Sequence, residues 1–200
     1  MTMGKRIRLL VVLGSVTPPG RLRRALANAV ARSANEDWLD AELVDLADCR
    51  LGLVGREAEV EDDREELIAR IAEADAVVFA TPVYRGSFSG ALKNLLDATP
   101  VEALESKPVG IVAMGASQHH FLGAERHLRD VLAFFGSLLA PVAVYLTSAD
   151  FEEGVPSDRA AEALSELFGG VGSIALALPA AWSLGPEPLA ARKVPVVQSS

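Results

Sequence analysis

A chain of 200 residues has the length of one domain, at about 150 residues per domain, with a short appendage to spare. Half of it is hydrophobic and 23% is charged, which excludes a disordered polyampholyte and leaves ample material for a buried core. Its 19 Lys and Arg against 27 Asp and Glu give a net charge of −8, which argues against a nucleic-acid binder, whose phosphate contacts would demand a basic face.

Charge is unevenly spread along the chain. From Lys5 to Arg32 every charged residue is positive, whereas acids dominate from Glu36 to Asp75. Such a basic stretch suits an anionic small molecule. The single cysteine, Cys49, excludes an internal disulfide and a multi-thiolate zinc site, and fits a reducing cytoplasm. The opening MTMGKRIRLLVVLGS has too short an apolar run for a signal peptide. Ile174–Leu184 contains Pro179 and is too short to span a bilayer, so the sequence reads as soluble, with no membrane partner.

Ile7–Leu13 is a continuous apolar run ending at Gly14-Ser15, the pattern of a strand buried on both faces. Arg21–Ala34 places Leu22, Leu26, Ala29 and Val30 at helical spacing. Glu42–Leu46 alternates as a second strand. Residues 47–61 read as a loop, and Asp62–Glu73 as an acid-started helix facing inward with Leu67, Ile68 and Ile71. Ala76–Ala80 and Pro108–Met114 are buried strands, with a helix over Gly90–Leu96 between them. A helix over Leu122–Phe135, a fifth strand over Ala140–Leu146 and a helix over Asp158–Phe168 complete the alternation. Five such repeats imply parallel βαβ units. Residues 1–170 then form the domain, and 171–200 an Ala/Pro-rich tail lying on it or exchanged with a neighbouring subunit.

Ligands of a doubly wound sheet bind beyond the carboxyl ends of its strands. Three strand ends carry unusual loops. Gly14-Ser15-Val16-Thr17-Pro18-Pro19-Gly20-Arg21 offers hydroxyls, backbone N–H groups and a helix N-terminus, which suit a phosphate, with Arg21 and Arg23 adding charge. It is equally a plain strand-to-helix turn, for it is neither a Walker loop nor a GxGxxG fingerprint. The second loop, Thr81 to Asn94, crowds two hydroxyls, Tyr84, Arg85, Gly86 and Gly90 between a buried strand and a helix. Ser87 or Ser89 serves as an N-cap there, a role that leaves Tyr84 and Arg85 unexplained. The third loop, Met114-Gly115-Ala116-Ser117-Gln118-His119-His120, suits the edge of a polar heterocycle. His120 and His127 lie seven residues apart and would share a helix face if the helix begins early, but the chain lacks further ligands for zinc, so they read as solvated or interface histidines.

At the second loop the sequence resembles the flavodoxin-like NAD(P)H-dependent FMN reductase family. Thr81-Pro82-Val83-Tyr84 and then Gly86-Ser87-Phe88-Ser89-Gly90-Ala91-Leu92-Lys93-Asn94-Leu95-Leu96-Asp97 look like its TPxYxGSxSGxLKNxLD signature. The Gly14-Ser15 and Gly115-Ala116-Ser117 loops follow in matching order, so the resemblance covers roughly Arg6 to Thr147 and leaves the tail unmatched. GASQHHFLGAERHLRDVL looks most like the reductases that supply reduced flavin to sulfonate monooxygenases.

The resemblance implies a flavodoxin-like doubly wound sheet of order 2-1-3-4-5. It also implies a homodimer or homotetramer that binds FMN and reduces it with NADPH or NADH for a flavin-dependent monooxygenase. By position, Ser15, Thr17 and the loop through Arg21 would hold the FMN phosphate. Pro82, Val83, Tyr84, Arg85, Gly86 and Ser87 would line the isoalloxazine and ribityl chain, and Gly115, Ala116 and Ser117 would meet the other ring edge. The implied step is hydride transfer from nicotinamide to flavin, which needs no acid–base side chain and no metal. Backbone N–H groups of Gly115–Ser117 would stabilise charge at the ring edge. Many members carry Arg where Thr17 stands and serines where Gly20 and Leu22 stand. Fewer phosphate hydroxyls here leave Arg21 or Arg23 to compensate, and a weak hold suits a reductase that releases its flavin.

Two rival functions stand beside this one, although a flavodoxin would be expected to lack the TPxYxGSxSG stretch. One is an FMN-retaining reductase of quinones, azo dyes or chromate, and the other a flavodoxin-like electron carrier without NAD(P)H oxidation. Cys49 reads as a partly buried, unreactive loop residue and Trp38 as a packing residue. Trp182 reads as an interface anchor, and the acid run Glu57–Glu66 as a solvated face.

Overall fold

The structure is a computed structural model that describes residues 5–15, 20–56, 62–179 and 185–186. Strand β1 (Ile7–Leu13) lies at the centre of the first half of the sheet. It pairs in parallel with β2 (Leu39–Asp45) on one side and β3 (Ala76–Pro82) on the other. Strand β4 (Pro108–Met114) follows β3, and beyond it lie β5 (Leu138–Leu139) and β6 (Val144–Leu146), giving the order 2-1-3-4-5 expected for the family it resembles.

Apart from the exposed Arg8, β1 is apolar throughout because each face of the sheet is covered. Ile7, Leu9, Val11 and Leu13 join a core with Leu22, Leu26, Leu164 and Phe168. These come from helix α1 (Arg21–Ser33) and helix α5 (Asp158–Ala177). Leu10 and Val12 join the opposite core with Leu67, Leu92 and Leu128. Those belong to helices α2 (Arg64–Glu73), α3 (Gly90–Ala98) and α4 (Phe121–Phe134). A short antiparallel hairpin, β7 (Phe151–Glu152) with β8 (Val155–Pro156), precedes α5.

Four expectations from the sequence need correction. The second strand spans Leu39–Asp45 rather than Glu42–Leu46, since Leu39 is buried under α5. The fifth strand is not continuous over Ala140–Leu146. Leu138–Leu139 pairs with Pro108–Val109 and Val144–Leu146 with Val112–Met114, so this edge uses two more residues than β4 over the same stretch. Pro141, which has no N–H to give a ladder, lies in the interruption.

The fifth helix runs on from Phe168 to Ala177, so the segment taken as a tail from 171 begins inside it, with Val171 and Ala175 buried. Gly169-Gly170 does not end the helix, because its next turns pack on the sheet. At Gly172 a side-chain carbon would come 2.9 Å from Leu39 and 3.0 Å from Trp38. This is the apolar helix whose length and composition would suffice to cross a bilayer, and much of its apolar surface is committed to the core. Trp182 lies outside the described residues.

Finally, the acid run is not uniformly a solvated face. Residues 57–61 lie outside the described residues, but Asp62 pairs with the buried Arg64 at 2.9 Å and accepts from the Gly52 N–H. Asp63 accepts from the Arg50 N–H at 2.7 Å. Arg64 donates in turn to the Gly52 carbonyl at 2.6 Å, and Asn94 of α3 to the same oxygen at 2.8 Å. The loop after β2 is thereby stitched to α2 and α3.

Candidate functional site

All three singled-out loops leave the carboxyl ends of β1, β3 and β4, where the parallel register brings them side by side. The first leaves β1 at Gly14, whose N–H donates to the Ala80 carbonyl at 2.8 Å. Thr17 and its neighbours from Val16 to Pro19 lie outside the described residues. The loop rejoins the structure at Gly20, which opens α1 without a capping side chain, and no acid follows in the first turn. A helix start of this kind carries partial positive charge.

Its three arginines have different employments. Arg23 pairs with Asp45 at 3.3 Å and Asp48 at 2.9 Å, and Arg24 donates to the Gly154 carbonyl at 2.8 Å. Arg23 is therefore committed to the loop after β2. The Arg21 side chain has no ion pair or hydrogen bond among the described residues, and it lines a cleft.

The second loop is shaped by buried hydroxyls. Thr81, fully buried, accepts from the Ser89 N–H at 2.9 Å, and Ser89 caps α3 by accepting from the Leu92 N–H at 3.1 Å. Ser89, not Ser87, is thus the cap. The Val83 N–H donates to the Met114 carbonyl at 2.8 Å, joining the second loop to the end of β4. Tyr84 and Ser87 exchange backbone hydrogen bonds at 2.9 and 3.0 Å around Arg85 (φ 52°) and Gly86 (φ 77°). Two left-handed central residues define a type I′ turn, which favours glycine or asparagine and makes Arg85 an unusual occupant. Ser87 Oγ lies 3.1 Å from Nδ1 of His127 on α4.

The third loop rests on β6. The Gly115 N–H donates to the Leu146 carbonyl at 3.0 Å, and the Tyr145 hydroxyl to the Ser117 carbonyl at 2.7 Å. Burial pushes the Tyr145 phenol above its usual pKa, so it stays a donor. Phe121 meets the Tyr145 ring edge-on at 6.3 Å.

These loops enclose a cleft of ≈ 420 Å³, within the range of small-ligand sites. Its walls are Pro82, Val83 and Tyr84 on one side and Met114, Gly115 and Ala116 on the other, with Arg21, Leu22 and Ser148 closing it. Ser15, Arg85, Gly86, Ser87 and Ser117 sit on the same three loops without lining this cavity. Ser148 was not foreseen from the sequence. It follows β6 in a short turn capped by Thr147 and Asp150.

Unused backbone donors lie in the cleft at Ala116 and beside it at Arg85 and Gly86. The backbone N–H groups of Arg85, Gly86 and Ala116 have no partner among the described residues, whereas that of Gly115 is taken by Leu146. Gly115 therefore does not contribute the N–H expected of it. Cys49 is half-buried below the β2 end, its thiol on the Asp45 carbonyl at 3.5 Å, and burial raises its pKa. No group of three or more His, Cys, Asp or Glu among the described residues is placed to hold a metal ion.

Comparison with known proteins places this arrangement. A family model described as NADPH-dependent FMN reductase matches residues 7–151. An NADH-dependent FMN reductase, SfnF, of Pseudomonas fluorescens is 31% identical over 153 residues, covering 76% of this chain and 82% of its own. An FMN reductase (NADPH) of Pseudomonas aeruginosa is 32% identical over 179 residues, covering 84% and 96%. Among solved structures, an NADH:FMN oxidoreductase in its apo form superposes with a TM-score of 0.67 at 25% identity, covering 88% of this chain and 91% of that one. An oxidoreductase of Corynebacterium diphtheriae superposes with a TM-score of 0.70 at 23% identity, covering 86% and 98%, a likeness of fold.

Proposed function

The chain belongs to the NADPH-dependent FMN reductase family and is an NAD(P)H-dependent oxidoreductase of FMN; we propose that the cleft between the three loops is its flavin site. The observation that carries this is the convergence of Arg21, Tyr84 and Ala116 on one cavity beyond the strand ends. The unused backbone donors of Arg85, Gly86 and Ala116 beside it fit a ligand with an oxygen- and nitrogen-rich edge.

Arg21 and Ser15, with Thr17 of the same loop, hold the phosphate at the uncapped start of α1. Pro82, Val83 and Tyr84 give a flat wall to the ring, and Arg85, Gly86 and Ser87 continue it toward the ribityl chain. Ala116 supplies an N–H at the opposite ring edge, held in place by Gly115 and Ser117. When bound, FMN supplies the two-electron chemistry, and NADH or NADPH the hydride. The residues of the chain have only to bind, orient and exclude water.

Among the described residues Arg23, Arg24 and Arg32 of α1 have partners and Arg21 has none, so the phosphate hold is light. That supports a reductase that passes reduced flavin to a flavin-dependent monooxygenase rather than retaining it. We place the protein in the cytoplasm as a homodimer or homotetramer. The adjacent Phe121 and Leu122, both exposed at the start of α4, support an interface.

The direct test is Ser15→Asp, which sets a carboxylate against the phosphate. Flavin titration of this variant should show binding abolished, and unchanged titration would remove the phosphate assignment. NAD(P)H oxidation with and without added FMN, on protein of known flavin content, separates exchange from retention.

A further inference from the structure

We propose that His127 is a positioning residue for the flavin wall, acting through Ser87. The inference rests on the reading of residues 82–87 as that wall. Its observation is the 3.1 Å approach of His127 Nδ1 to Ser87 Oγ, across 40 residues of chain. The sequence offers only a solvated or interface histidine here.

Helix α4 touches the turn twice. Gly123 and His127 are four residues apart and so share one helix face. At Gly123 a side-chain carbon would come 2.7 Å from the Gly86 carbonyl oxygen. The missing side chain lets the helix lie against the turn, and one helical turn later the imidazole reaches the neighbouring residue, Ser87. The turn itself needs such support. It has two left-handed residues in a row, one of them Arg85, and is closed only by the Tyr84–Ser87 backbone pair.

A serine hydroxyl is a rotor that can give or accept a hydrogen bond. His127 settles that choice in either tautomer. If Nδ1 accepts, the Ser87 proton is engaged and its oxygen faces the ligand as an acceptor. If Nδ1–H donates, the Ser87 proton is left for the ligand. The same helix continues from the third loop through the short turn Gln118–His120, so α4 links both walls of the cleft. His127 thus fixes one wall relative to the other without touching the flavin.

The test compares His127→Ala, His127→Asn, Ser87→Ala and the double variant His127→Ala/Ser87→Ala in the full-length protein. The dissociation constant for FMN, the KM values for FMN and NADH, and the melting temperature without flavin are measured. Each single alanine should weaken FMN binding by about three- to tenfold, the worth of one hydrogen bond. The double variant should be no worse than the weaker single, since both remove one contact. Asparagine, which places a polar atom where Nδ1 stood, should recover most of the loss, and the KM for NADH should not move.

If Ser87→Ala weakens FMN binding while His127→Ala does not, the wall stands and the positioning role falls. If neither does, the wall itself is misassigned. A loss in His127→Ala that asparagine fails to recover, with an equal fall in melting temperature, means a merely structural role and overturns the proposal. Gly123→Ala gives an independent arm. Pushing the Gly86 carbonyl away should weaken FMN binding in the same direction, and full affinity would show that the helix does not hold the turn.

Discussion

The Tyr145 hydroxyl donates to the Ser117 carbonyl at 2.7 Å while lying so close over Gly115 that a side-chain carbon there would come within 2.0 Å of it. One phenol therefore braces the third loop at both ends. Tyr145→Phe removes the hydrogen bond alone and should cost about 1 kcal/mol of stability. Gly115→Ala forces the whole ring aside and should cost about 1–3 kcal/mol. If this loop meets the flavin edge, FMN affinity should fall in the same order, slightly in the first variant and severely in the second. Urea unfolding and flavin fluorescence titration read both, and full affinity in Gly115→Ala would detach the loop from the site.

The two leading arginines of α1 should separate stability from binding. Arg23 neutralises Asp45, a residue that is only 4% exposed. Burial pushes the Asp45 carboxyl up in pKa, while the Ala47 N–H and Arg23 pull it down. Arg23→Ala leaves that carboxylate poorly compensated, for a cost of about 1–3 kcal/mol, with FMN affinity little altered. Arg21→Ala should do the reverse: stability holds, and FMN binding weakens by about tenfold or more through loss of a charge-assisted phosphate contact. The opposite pattern would move the phosphate from Arg21 to Arg23.

Much of this was legible in the sequence where the signal is local. The runs Ile7–Leu13 and Pro108–Met114 appear as strands with those same bounds, because burial on both faces leaves a nearly continuous apolar record, broken in the first only by the exposed Arg8. The three loops and their order were equally plain. What was hidden is pairing across the chain. Nothing near Arg23 says that Asp45 and Asp48 will claim it, and nothing near His127 or Tyr145 names Ser87 or Ser117 as a partner. Gly169-Gly170 misled for a related reason. Glycines commonly end helices, yet α5 continues because its next turns bury Val171 and Ala175 and seat Gly172 against Trp38.

Gly14, at the end of β1, and Gly90, at the start of α3, make a matched pair of substitutions. A side-chain carbon at Gly14 would stand 2.6 Å from Leu92 Cβ and 2.9 Å from Ser89 Oγ, so β1 can approach α3 only without one. Gly14→Ala should destabilise by about 1–3 kcal/mol and weaken FMN binding by displacing the Ser89 cap and the loop behind it. At Gly90 nothing lies within 4 Å, and the position opens a helix. Gly90→Ala should be neutral or stabilise by about 0.5 kcal/mol. Thermal unfolding of the two variants side by side checks both, and equal effects would contradict the packing described.

Lys107 gives the fold a dependence on pH in the alkaline range. Its ammonium group is drawn under the end of α2, donating to the carbonyls of Ile71 and Ala72, the latter at 2.8 Å. Burial lowers its pKa from 10.5 to about 8, with Asp75 opposing the shift and Arg8 adding to it. Above about 8 the folded chain has released this proton while the unfolded chain keeps it up to 10.5. The unfolded state then binds more protons, so Lys107's contribution to stability rises with pH across that window. Below it both states are protonated and the penalty of burying the charge is constant. A neutral amine still donates to the two carbonyls, so the hydrogen bonds outlast the charge. Lys107→Met removes the titration while keeping the apolar stem. The parent should therefore gain stability relative to this variant between about pH 7 and about pH 9.5 in urea unfolding, whereas a constant difference would mean that the amine titrates normally in the folded state.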